Sequence, residues 1–163
     1  MKATVVGAAA AAALLLAGCS VKRTEEPESD HHAKPYIIGM GDIMLQNQLH
    51  HTKLWFAGTA GNWPLARYET GELHGGFERI ATYHPTFKKK PTGPLADEFV
   101  SGPFGELDKA ISDKNEAEFT AGYDDLTNGC NGCHKELGYD FNVLKRPTAP
   151  PYTDQDFAPV KAG

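Results

Sequence analysis

The residues with the clearest chemistry are Cys130-Asn131-Gly132-Cys133-His134. C-x-x-C-H is the attachment pattern for a single covalent haem c. The spacing has a physical reason. Two thiols must reach the two vinyl groups on one edge of a porphyrin, and the next residue must bring its imidazole under the iron. On a helix, residues three and four apart share a side, so Cys130, Cys133 and His134 meet both needs. Asn131 and Gly132 are small, which lets the haem edge approach the backbone. Two other readings of the same spacing need more than this chain supplies. A thioredoxin-like redox pair wants a βαβ context, and a zinc site wants a fourth ligand and usually a second Cys or His pair. A Cys130–Cys133 disulfide requires only an oxidising compartment.

The chain has 3 cysteines, so one remains, Cys19. Residues 1–18 begin with Met1-Lys2, continue as an apolar run from Ala3 to Leu16, and end in Leu16-Ala17-Gly18 before Cys19. A basic start, a short apolar stretch and small residues form an export signal. The run is too short to span a bilayer comfortably. Its end resembles the bacterial lipobox, in which the cysteine is lipidated and becomes the first mature residue. Ser20, by resemblance to Gram-negative lipoproteins, implies sorting to the outer membrane. Residues 19–35 are polar, contain Pro27 and Pro35, and read as a flexible tether; His31 and His32 within it receive no role. The expected location is the periplasm, with membrane attachment through the lipid. Export agrees with the haem reading, because haem c is attached outside the cytoplasm. A formal net charge of -5 argues against a nucleic-acid partner.

Positioning these residues requires helices. Composition is ordinary for a globular chain, with 40% hydrophobic and 23% charged residues. Four helical segments are expected, at about Pro35–Gly58, Trp63–Thr82, Pro94–Asp113 and Asn115–Tyr139. At about 100° per residue, Ile37, Met40, Gln48, His51 and Trp55 lie within about 40° of Met44. Asn62 and Asn115 suit N-caps and Pro64 a first helical turn. Glu118 adds the capping-box spacing to Asn115. Gly102-Pro103 should kink or break the third helix. On the fourth, Tyr123, Cys130, Leu137 and Phe141 share the side of His134. Tyr83–Gly93, with Lys88, Lys89 and Lys90, reads as a solvated basic connector, with a docking patch for an acidic redox partner as the other reading. No strand is expected. The fold class is all-α, an up-down-up-down four-helix bundle over residues 36–146, followed by an extended Pro-rich tail over 147–163.

With C-x-x-C-H in the last helix, the chain resembles the cytochrome c-prime and cytochrome c-556 group, four-helix bundles with haem near the end of helix four. The stretch from Gln48 through Gly58 to Asn62-Trp63, and the tail Arg146-Pro147-Thr148-Ala149-Pro150-Pro151-Tyr152, are similar to poorly characterised bacterial haem-binding proteins. The resemblance covers roughly residues 37 to 158. It implies a homodimer through helices one and two, as is common in the group.

The open position is the second axial ligand. Helix one should run antiparallel to helix four, which sets the start of helix one opposite His134. Met44 is there, and in low-spin members of the group a helix-one methionine binds iron. Met40 is one turn earlier on much the same face. His51 is about 10 Å further along, at about 1.5 Å per residue. Met44 could instead be an adaptable core filler, leaving five-coordinate iron; His74 and His84 read as surface or capping groups. The expected function is non-enzymatic one-electron transfer to periplasmic redox proteins. Binding or sensing of nitric oxide or carbon monoxide is the alternative. A peroxidase-like site would need His50 or His51 as an acid–base group and ranks last.

Overall fold

The computed structural model describes residues 36–161. The export signal, Cys19, the tether with His31 and His32, and residues 162–163 lie outside the described residues. The described chain is all-α, with helices α1 (Met40–Thr59), α2 (Trp63–Tyr83), α3 (Thr92–Asp113) and α4 (Glu116–Glu136). A small antiparallel hairpin, β1 (Thr86–Phe87) and β2 (Lys90–Pro91), joins α2 to α3. No described helix is long and apolar enough to cross a membrane.

Local chemistry explains the helix limits. Asn62 accepts from the Leu65 amide, with proline in the first turn of α2, and Asn115 accepts from the Ala117 and Glu118 amides. The Glu118 amide is thus held by the cap, but the capping box is not closed, because the Asn115 amide donates to the Ala110 carbonyl instead of meeting Glu118. Helix α1 starts later than the expected Pro35: Gly39 is extended, and its carbonyl accepts from Asp42 and Ile43. Ile37 therefore lies before the helix and is exposed. Helix α4 ends before the expected Tyr139 because Gly138 turns left-handed, with φ 71°. Phe141 consequently leaves the His134 side and is 78% exposed.

Helix α3 continues through Pro103, so the expected interruption there is not a break. Pro103 has no N–H to give to the Phe99 carbonyl four residues back. Helix α4 crosses there with Gly129, where a Cβ would stand 2.4 Å from that carbonyl oxygen. Gly122 and Gly132 meet α3 in the same way, at the Leu107 backbone and the Phe99 ring. The small residues of α4 thus serve close packing on α3. Core side chains come from all four helices, among them Ile43, Leu54, Leu73, Val100, Leu107, Phe119, Tyr123 and Leu126.

The connector expected to be solvated is the hairpin, and the absence of strands was the wrong expectation. Lys88 and Lys89 form its turn with φ 47° and 66°. Lys88 Nζ donates to the Leu137 carbonyl at 2.8 Å and stands 4.1 Å from the Tyr139 ring centroid. Lys90 pairs with Glu136. Two lysines of the basic run are therefore spent on the C-terminal end of α4, where cations favour the helix dipole. The tail returns along the helices. Arg146 pairs with Asp124 and covers Trp55 at 4.8 Å. Phe157 packs on Phe56 at 5.6 Å, and Asn62 Nδ2 donates to the Ala158 carbonyl.

Candidate functional site

A cavity of about 630 Å³ opens between α1 and the C-terminal end of α4. That volume falls within the range of about 300–1,000 Å³ typical of ligand pockets. Met40, Met44, Asn47, Gln48 and His51 line it from α1, Leu73 and Phe77 from α2, and Phe87 from the hairpin. Leu126, Cys130, Cys133, His134 and Leu137 line it from α4, and Tyr139, Asn142 and Leu144 from the segment that follows. Cys130, Cys133, His134 and Met44 thus meet at one cavity. Trp55 turns instead into the core against Tyr123, with ring centroids 4.9 Å apart.

The two thiols are free and are not joined to each other. Burial pushes the Cys130 thiol up to about 12, with the neighbouring Cys133 adding to the shift. Burial also raises Cys133, with Glu136 contributing. This is the reverse of a reactive dithiol, whose thiolate is stabilised. Among the described residues, no group of three or more His, Cys, Asp and Glu side chains converges as a metal cage. The residues inside the motif also make contacts of their own. Gly132 faces Phe99 on α3, where a Cβ would be 2.7 Å from the ring. Asn131 holds the returning chain: Nδ2 donates to the Leu144 carbonyl at 2.9 Å, and Oδ1 accepts from the Leu144 amide at 2.7 Å.

That returning chain sets the orientation of His134. Its Nδ1 is 3.0 Å from the Asn142 carbonyl. A carbonyl can only accept, so Nδ1 carries the proton and Nε2 of the neutral ring keeps its lone pair. Holding the far ring nitrogen in this way is how proteins orient histidines that bind metal through the near one.

On the α1 wall, Met44 and Met40 are both partly buried at the cavity. His51 is also on that wall, but neither of its nitrogens is available to iron. Thr127 Oγ1 donates to the Tyr123 carbonyl at 2.8 Å, so it accepts from His51 Nε2 at 2.9 Å. The Tyr123 hydroxyl shares its proton between His51 Nδ1 and the His51 carbonyl, each 3.0 Å away. The His51 ring also stacks on Tyr123 with centroids 4.4 Å apart. Burial lowers its pKa to about 4, so it is neutral at pH 7. His50 is committed elsewhere. Its Nδ1 donates to the fully buried Glu69 Oε2 at 2.7 Å, and Lys53 Nζ stands 2.6 Å from Oε1. The acid–base role considered for these histidines therefore has no support in their contacts.

The remaining histidines divide. His74 stacks on Phe104 at 4.0 Å and pairs with Asp108, tying α2 to α3. His84 caps the end of α2, as expected, but also lines the cavity, with Nε2 donating to the Ile38 carbonyl at 2.8 Å. Sequence reasoning missed Asn47, a cavity-lining residue whose buried amide packs against Gly76 of α2 with no hydrogen-bond partner. It also missed the carbonyl of Asn142. Asn47 had a readable signal, a polar residue three positions after Met44 on the same helix face. A backbone carbonyl has no side-chain signature.

The chain matches no family model, no curated protein and no solved structure.

Proposed function

We propose that the protein is a monohaem c-type cytochrome that carries single electrons in the cell envelope. The observation that carries this reading is one cavity that brings together both thiols of C-x-x-C-H, a histidine with Nε2 left free by its Nδ1 bond to Asn142, and a methionine on the α1 wall. Cys130 and Cys133 would hold the haem as thioethers, His134 would bind iron through Nε2, and Met44 would supply a second protein ligand. When bound, the haem supplies a reversible one-electron change at iron.

The chain's own residues supply the setting. Leu73, Phe77, Phe87, Leu126 and Leu137 give the cavity apolar walls. Apolar walls disfavour the additional charge of oxidised iron, and a methionine opposite a histidine also raises the potential. Asn131 and Arg146 hold the segment whose Asn142 carbonyl orients His134. His51 lines the cavity from α1 as a neutral group.

Helix pairs that pack in chain order, with α1 on α2, α2 on α3 and α3 on α4, support the up-down-up-down bundle of the cytochrome c-prime and c-556 group. Export, lipidation at Cys19, anchoring at the outer membrane and periplasmic redox partners belong to the same proposal and rest on the sequence. The test is expression with the haem-attachment machinery, followed by a denaturing gel stained for haem peroxidase activity. A stained band that is lost in Cys130→Ala/Cys133→Ala supports the reading. An unstained parent band overturns it.

A further inference from the structure

Among the described residues, no lysine or arginine lines the cavity between α1 and α4. Three histidines do, and they differ in what their ring nitrogens have left. His134 is turned by the Asn142 carbonyl, and His51 has both nitrogens committed to Thr127 and Tyr123. His84 is the third. It is held at the end of α2 from several sides. Its amide donates to the Ile80 carbonyl, and its own carbonyl accepts from the hydroxyl of the buried Thr92. Its Nε2 donates to the Ile38 carbonyl at 2.8 Å. Its Nδ1 has no partner in the protein, and it is not sealed in either. Among the described residues, the buried side-chain polar atoms with no hydrogen bond belong to Asn47, Glu69 and Arg79. A ring on the cavity wall thus has one nitrogen fixed and one open.

We infer that His84 receives a haem propionate, with Nδ1 donating to one of its carboxylate oxygens. The inference rests on the haem reading above and names the residue that holds the other edge of the cofactor. Thioethers at Cys130 and Cys133 tie the vinyl edge to α4, so the propionates, carried on the far edge, turn to groups on other elements. His84 sits off α4, where α2 meets the hairpin. A carboxylate beside apolar walls is costly unless it is paired. With His134 and His51 committed, His84 is the lining side chain left that can bring a positive charge. The Gln48 amide and the Tyr139 hydroxyl also line the cavity, but they can donate without bringing a charge. To donate from both nitrogens the ring takes up one proton from water, because Nε2 keeps its own on the Ile38 carbonyl. The resulting charge-assisted hydrogen bond is of the stronger kind. The positive ring also favours reduced iron, which carries one charge fewer.

The test uses the haem-loaded full chain, read by resonance Raman at the propionate bending band and by redox titration at pH 7. His84→Leu removes both donor and charge. His84→Gln removes the charge and keeps a donor, and it carries the test should leucine prevent folding or haem loading. Loss of a hydrogen bond to a propionate lowers its bending frequency. In His84→Leu the band should move down and the potential should fall. In His84→Gln the potential should fall with a smaller movement of the band. A residue that served only to join α2 to the Ile38 segment would leave the band in place. A band unchanged in His84→Leu, or a potential unchanged in His84→Gln, overturns the inference and leaves the haem reading standing. A parent protein that carries no haem overturns both.

Discussion

Acid should unfold this protein in part through His51, and the size of the effect follows from its surroundings. Burial lowers its pKa from 6.5 to about 4. The folded ring is neutral, with Nε2 given to Thr127 and Nδ1 held by Tyr123. The unfolded chain therefore binds a proton between pH 6.5 and 4 that the folded chain does not. Stability consequently falls as pH drops through 6.5, by up to about 1.4 kcal/mol per pH unit, and this loss is complete near pH 4. A shift of this size corresponds to about 3 kcal/mol. With only 3% of the residue exposed, solvent does little to reduce it. That is a large part of the stability of a typical domain, about 5–15 kcal/mol. The assay is urea unfolding followed by far-ultraviolet circular dichroism at pH 7, 6, 5 and 4, on the parent and on His51→Gln. The variant should be less stable at pH 7 but should lose about 3 kcal/mol less than the parent on going to pH 4. Parallel pH profiles for the two proteins would refute the reasoning, because carboxylates elsewhere titrate equally in both.

Other changes should report on the parts that build the cavity. Gly129→Ala drives a methyl toward the Phe99 carbonyl at 2.4 Å and should cost about 1–3 kcal/mol of stability in urea unfolding; a neutral result would mean that α3 and α4 separate easily. Asn131→Ala removes both bonds to Leu144 and should cost about 1–3 kcal/mol, while faster proteolysis after residue 140 reports release of the segment that orients His134. Met44→Ala should change the absorption spectrum of the reduced protein from low spin to high spin; an unchanged spectrum removes Met44 as a ligand.

The parts of this protein legible in its sequence are those that depend on local chemistry. Asn62 and Asn115 cap where a side-chain oxygen can reach free amides, and Met44, Gln48 and His51 share a cavity wall because helical spacing dictates it. Cys130, Cys133 and His134 fall together for the same reason. The remainder depends on contacts between distant residues. Nothing local says that Gly129 and Gly132 face Phe99, that Lys88 reaches the end of α4, or that the Asn142 carbonyl turns His134. The continuity of α3 through Pro103 belongs to this group, since the crossing α4 supplies the packing there. Gly138 was the readable stop signal that places the end of α4 before Tyr139.

The most direct test of the central claim is the mass of the purified, exported full chain together with its reduced spectrum in alkaline pyridine. Intact mass that includes one haem bonded to the polypeptide, a c-type haemochrome spectrum, and loss of both in Cys130→Ala/Cys133→Ala are the predicted results. A parent protein that matures without added haem mass, or one whose haem survives replacement of both cysteines, would contradict the account.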